Sequence, residues 1–322
     1  MTNWTASAIH SQSGRKAVVT GTGGLGLEDA LALAAAGADV IIAGRNPSKG
    51  REAVAHVRQH VTNAIVRFEL LDLANLDSIA AFASRLGSKL SSVDILINNA
   101  AVMTPPQRRT TDDGFELQFG TNYLGHFALT SHLLPLLRKS KSPRVVTLSS
   151  IAARDGTINF DDLQAERGYK AMAVYAQSKL ACLMFSLELQ RRSDAAGWGI
   201  ASIAAHPGIS RTDLLPNGAG PNSAFGLMRK YLWFVFQPVA QGALPTLFAA
   251  TSPEAEGGAY YGPDKLGETR GSPMLAKIPK QALDASVASR LWDVSEKLIG
   301  ATFDTSNTER SAVPTLPGHA AI

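Results

Sequence analysis

The sequence predicts an α/β fold built on a doubly wound parallel sheet, and three observations predict it. Short, almost uninterrupted apolar runs such as "KAVVT" (16–20), "ADVIIAG" (38–44) and "VDILINNA" (93–100) alternate with stretches of helical periodicity. Strands of that kind are buried on both faces, as in a parallel sheet covered by helices. The first run passes into a helical pattern through Gly21, Gly23 and Gly26, spaced G-x-G-x-x-G. Finally, 45% hydrophobic against 18% charged residues in a chain of 322 supplies a sizeable core.

The elements follow in order. After the first strand, a helix is expected over 26–37, closing at Gly37, and the strand 38–44 leads to a helix over 48–60. "AIVRFELLD" (64–72) is the third strand and 76–89 the next helix. Strand 93–100 precedes a long helix over 113–138. "PRVVTLSS" (143–150) is the fifth strand, 171–193 a helix and "GIASIAAHPG" (199–208) the sixth strand. With no internal repeat and no linker, residues 15–303 read as a single domain after an N-terminal arm, 1–14. Pro, Gly and Asn followed by an aromatic cluster break the rhythm over 214–236, placing a substrate lid at 213–240. The small, polar tail 304–322, with two prolines, is expected to be flexible.

Composition excludes several classes. The net charge is +4, but the basic residues are scattered, which argues against nucleic-acid binding. The one cysteine, Cys182, allows no internal disulfide and fits a reducing compartment; packing is its expected role. The start "MTNWTASAIHSQSGRK" lacks the apolar centre of a signal peptide. Gln237, Pro238, Gln241 and Pro245 interrupt the most apolar late segment, so no stable membrane insertion is expected and the location reads as cytoplasmic. No Cys, His and Asp cluster has metal-ligand spacing, and His126 and His206 read as structural.

A glycine turn between strand and helix lets main-chain amides approach a pyrophosphate, and the helix N-terminus adds favourable electrostatics. Gly21, Thr22, Gly23, Leu25 and Gly26 are therefore the candidate cofactor cradle. NAD-binding versions place an acid at the end of the second strand to grip the ribose; here "IIAGRNPSK" has Arg45. A guanidinium suits a 2′-phosphate, so NADP(H) is the expected cofactor.

Tyr175 and Lys179 lie four apart in "VYAQSKLACLMF", on one face of a predicted helix. A phenol titrates near pH 10, and a fixed ammonium beside it would lower that toward neutrality. "VVTLSSIAA" puts Ser149 and Ser150 at the carboxyl end of the fifth strand, where a hydroxyl could hold a carbonyl oxygen. Asn122 interrupts the long helix; Asp72 ends the third strand; Thr212 follows the sixth, within reach of a cofactor amide.

Together "TGTGGLG", "LDL", "INNA", "DGFELQFGTNYLGHF", "LSS", "YAQSK", "HPG" and "RLWDVSEKL" keep one order over roughly residues 15–300. In them the chain resembles the short-chain dehydrogenase/reductase superfamily with its Rossmann fold, and within it the retinol dehydrogenase-like group. The resemblance implies roles. Tyr175 would be the proton donor to a carbonyl oxygen, or the base in oxidation; Lys179 would lower its pKa and hold the nicotinamide ribose. Ser150 would orient the substrate oxygen, and Asn122 would hold a water linking Lys179 to solvent. Asp72 and Leu73 would border the adenine, Asn99 and Ala100 the adenosine ribose. Pro207, Ile209 and Thr212 would position the carboxamide.

Two departures stand out. The family loop reads T-G-x-x-x-G-x-G; "TGTGGLG" is one residue shorter, and Gly23 is expected to absorb the loss through a strained or left-handed conformation. Ala101 replaces a usual glycine and should crowd the cofactor slightly. The resemblance implies an enzyme interconverting a carbonyl and an alcohol. A reductase of carbon–carbon double bonds and a non-catalytic cofactor module are the alternatives. "SAFGLMRKYLWFVFQP" (223–238) reads as an apolar lid over a hydrophobic substrate, with core or interface packing and membrane-surface contact as the other readings. A homo-oligomer is implied by the resemblance alone.

Overall fold

The computed structural model describes residues 4–210 and 237–303. Thr212, the tail 304–322 and most of the expected lid, including its aromatic cluster, lie outside the described residues.

The chain alternates strand and helix as its patterning requires. β1 (Lys16–Thr20) is followed by α1 (Gly24–Ala35), β2 (Asp39–Gly44), α2 (Pro47–His60), β3 (Val66–Leu70), α3 (Leu76–Lys89) and β4 (Ile95–Asn98). A wide π turn (Phe119–Leu124) leads into α4 (Gly125–Leu137), then β5 (Arg144–Leu148), a 3-10 helix (Ile151–Asp155), α5 (Ala171–Ala196) and β6 (Ala201–Ala205). After the undescribed segment come α6 (Val239–Thr251), β7 (Tyr260–Lys265), β8 (Arg270–Leu275) and α7 (Ala285–Ile299). The sheet order is β3-β2-β1-β4-β5-β6-β7-β8, parallel except for β8.

Alternation along the strands divides the core. Val18, Ile41, Leu96, Val145 and Ala204 face α3, α4, α5 and α7; Val19, Ile42, Ile97, Val146 and Ala205 face α1, α2 and α6. On the first side Trp292 of α7 is buried against Phe127, Phe185 and Phe303. On the second, the N-terminal arm packs onto α6, with Trp4 edge-on to Phe248 at 5.4 Å.

One expectation needs correction, and one element was not expected. The long helix does not begin at 113. Asp113 accepts the Leu76 N–H and Asp112 the Asn75 side chain, so these acids anchor the start of α3. Gly114 turns with φ +85° and Thr110 bridges Glu116, so the helix starts only at 117. The hairpin β7–β8 carries no strand signal in the sequence, because Gly262, Pro263, Gly271 and Pro273 interrupt it. It is tolerated at the sheet edge, where such residues cost least.

Candidate active site

The parallel strands put their carboxyl ends on one edge, and the sequence-predicted residues gather there. At the end of β1, Gly21 has φ +106° and Gly24 +54°, whereas Gly23 is extended at φ −154°. The shortened loop is thus absorbed at Gly21 and Gly24, not at Gly23. Leu25 and Gly26 belong to the first turn of α1. The Asn99 amide donates to the Thr20 carbonyl at 2.7 Å and lies over the loop; a Cβ on Gly21 or Gly26 would come within 2.7 or 2.6 Å of it. Thr22 packs over Gly44, and Leu25 over Gly242 of α6.

This cradle fits a phosphate. No side chain caps the N-terminus of α1, and a Cβ on Gly23 would meet nothing within 4 Å. Free first-turn amides facing open space are an anion site. Arg45 is exposed just past β2, with no hydrogen-bond or ion-pair partner among the described residues. Asp72 is half-buried and accepts the Ala74 N–H at 2.9 Å, while Leu73 is buried in the core. Ala100 donates its N–H to the Thr20 hydroxyl at 3.0 Å.

Across the edge, β5 and α5 are clasped together. The Ser149 hydroxyl donates to the Lys179 carbonyl at 2.8 Å, and the Lys179 ammonium donates to the Leu148 carbonyl at 3.0 Å. Ser150 caps the 3-10 helix, accepting the Ala152 N–H at 3.2 Å, and its side chain lies close enough to Tyr175 to favour the phenolate. Burial pushes the Tyr175 phenol up to about 12, against the lowering effect of Ser150. Lys179, fully buried, is itself lowered by burial. In this structure burial outweighs any lowering of the phenol, and the Lys179 ammonium donates to the end of β5.

Asn122 lies in the π turn, where Gly125 N–H reaches back to Gly120. Its amide donates to the Val102 carbonyl at 2.9 Å and the Ser178 hydroxyl at 3.0 Å, and its side-chain oxygen accepts Val102 N–H at 2.8 Å. Its main-chain oxygen accepts from His126 Nδ1 at 2.9 Å and from the Cys182 thiol at 3.2 Å. Burial lowers His126 to about 4, so the ring is neutral. With Nδ1 donating, Nε2 accepts from the Thr20 hydroxyl at 2.9 Å. The ring so connects the Asn122 turn to the glycine loop, 106 residues earlier in contact.

Beyond β6, Pro207 accepts from Gln237 Nε2 at 2.6 Å and from Ser210 at 2.9 Å. Ile209 donates its N–H to the Thr269 carbonyl and accepts the Gln237 N–H. A carboxamide would compete with these partners for the Ile209 main chain. His126, read from the sequence as structural, is buried and links Thr20 to Asn122; Thr20 and Tyr260, beside the site, carry no local pattern that announces them. Among the described residues no group of His, Cys, Asp and Glu could hold a metal ion. No helix there is long and apolar enough to cross a membrane.

Comparison with known proteins agrees with this layout. A family model described as short chain dehydrogenase matches residues 15–219. The chain is 42% identical over 293 residues to retinol dehydrogenase 13 of Mus musculus, covering 89% of this chain and 84% of that protein. It is 42% identical over 254 residues to polyprenol dehydrogenase of Homo sapiens, covering 77% and 76%. An uncharacterised protein from Mycobacterium paratuberculosis superposes with a TM-score of 0.78 at 39% identity, over 94% of this chain and all of that one. L-sorbose reductase from Gluconobacter frateurii, solved with NADPH and L-sorbose, shares the fold at a TM-score of 0.62 and 21% identity, over 78% and 95%.

Proposed function

Because the chain belongs to the short-chain dehydrogenase family and is an oxidoreductase, we propose that it interconverts a hydrophobic carbonyl compound and its alcohol with NADP(H). The observation that carries this reading is the placement of Ser150 at the end of β5 close enough to Tyr175 to act on its phenol, with Lys179 one turn further along α5, at the strand edge that holds the glycine cradle.

When bound, the nicotinamide supplies or accepts the hydride. In reduction Ser150 holds the carbonyl oxygen and Tyr175 donates its proton to that oxygen as the carbon becomes tetrahedral. A phenol held at about 12 is fully protonated at neutral pH and ready for that step. Lys179 and Asn122 keep the buried face of α5 fixed against β5 and the π turn. The cradle at Gly21–Gly26 would hold the pyrophosphate and Arg45 the 2′-phosphate. The names of the relatives, retinol and polyprenol dehydrogenases, support an apolar alcohol as the reaction partner.

The test is an NADPH-consumption screen over aldehydes and ketones of graded size and polarity. Turnover is expected on bulky apolar members; activity confined to small polar ketones would reject the substrate class. Binding of NADPH without turnover on any of them would reject the reaction.

A further inference from the structure

The turn between β7 and β8 is strained, although Arg154 donates to the Gly267 carbonyl at 3.2 Å and the Thr269 hydroxyl to the Leu266 carbonyl at 2.9 Å. Leu266, Gly267 and Glu268 are consecutive left-handed residues, at φ +49°, +65° and +70°, and Leu266 is 73% exposed. Two non-glycine residues in that region persist only where surrounding contacts over-determine them, and such positions cluster at functional sites. The charge-paired contacts belong to Glu268. Its Oε2 accepts from Arg154 at 2.6 Å and from His206 Nε2 at 3.0 Å, and its Oε1 accepts the Lys277 N–H at 3.0 Å. Burial would raise this carboxyl, but these hydrogen bonds and the Arg154 cation hold it down at about 2, so it is a carboxylate.

Each partner leads to the site. Arg154 lies in the 3-10 helix that Ser150 caps. His206 ends β6 and opens the loop to Pro207 and Ile209; its Nδ1 accepts Gly208 N–H at 3.2 Å, leaving the Nε2 hydrogen for Glu268. Gly262 leaves room for that ring, since a Cβ there would overlap Nε2. The ring packs against Tyr260 at 5.1 Å, and the Tyr260 hydroxyl donates to the Ser150 carbonyl at 3.5 Å. The same turn gives Thr269, whose carbonyl accepts Ile209 N–H at 2.8 Å.

We propose that Glu268 is a positioning residue: through Arg154 and His206, one carboxylate sets the Ser150 hydroxyl and the 206–209 loop relative to each other, and so the substrate oxygen relative to the nicotinamide. The proposal rests on the function given above. A misplacement of about 1 Å at reacting atoms can cost about 100-fold in rate.

The test is a double-mutant cycle with Glu268→Gln and Arg154→Gln, read by turnover, by NADPH fluorescence titration and by thermal unfolding. Glu268→Gln is expected to lower kcat about tenfold, leave KM for the carbonyl within about twofold and weaken NADPH several-fold, with little change in Tm. Arg154→Gln should act in the same direction, and the double variant should be no worse than Glu268→Gln. Unchanged kcat and NADPH affinity, a fall in Tm alone, or fully additive losses would each overturn the proposal. If Glu268→Gln does not fold, Arg154→Gln, at a partly exposed position, decides the matter by the same readings. If the wild type binds NADPH but reduces no carbonyl, the function has failed, and the change in NADPH affinity still judges the clamp.

Discussion

The ammonium of Lys179 rests on the carbonyl oxygen of Leu148, 3.0 Å away, at the point where β5 ends. A buried cation held by one carbonyl costs folding free energy that an apolar chain of similar length does not. Lys179→Met removes that cost together with the clasp to β5, so it is expected to fold with a Tm near that of the wild type and to lose turnover by about 10-fold or more through misplacement of Tyr175. Thermal unfolding together with NADPH oxidation would check it; retained turnover would remove Lys179 from the site.

Tyr175 offers a direct titration. Burial raises the phenol to about 12 in the cofactor-free protein. An ultraviolet difference titration of wild type against Tyr175→Phe should show no phenolate signal from this residue below about pH 10. The same variant should abolish turnover and keep NADPH binding. A phenolate appearing near neutrality would restore the ammonium-lowered phenol that the Y-x-x-x-K spacing predicts.

The proposed role of Arg45 is to favour NADP(H) over NAD(H). The residue is exposed at the end of β2, following Gly44, over which Thr22 packs. Replacing Arg45 with Asp removes the charge that pairs with a 2′-phosphate and adds an acceptor for ribose hydroxyls. The ratio of NADP(H) to NAD(H) affinity should fall about 10- to 100-fold by equilibrium titration. An unchanged ratio would place the choice elsewhere.

Asp29 is a cost that the fold carries. It is fully buried in α1, both carboxylate oxygens lack a hydrogen-bond partner among the described residues, and burial raises its pKa well above the usual carboxylate range. Folded protein thus holds a proton that the unfolded chain releases near pH 4. Stability falls as pH rises from there toward the folded pKa. Asp29→Ala should stabilise the protein by about 1–3 kcal/mol at neutral pH, with an advantage that shrinks on acidification toward pH 4. Urea unfolding of both proteins at several pH values tests the sign.

The sequence made the strand–helix alternation legible because parallel strands buried on both faces leave an almost unbroken apolar trace. The Ser150–Tyr175 pair was legible because each residue lies within a local motif. What escaped depends on distance or on competition. His126 reaches Thr20 only once β1 and α4 are side by side. Asp112 and Asp113 look like the start of a helix until they cap α3 instead. Gly23 was the natural place to absorb a shortened loop, yet the positive φ values fall on its neighbours at 21 and 24. The Tyr175–Lys179 spacing gave proximity but not direction, and the ammonium turned to β5.

The wide turn at Phe119–Leu124 amounts to one surplus residue threaded into a helical spiral. Excising that surplus residue would let the spiral close to ordinary winding while the residues on either side kept their faces. The Asn122 carbonyl, which accepts from His126 and Cys182, would then be drawn into the ordinary helical ladder. The surplus residue thus governs hydrogen bonding at the strand edge and not the direction of the helix.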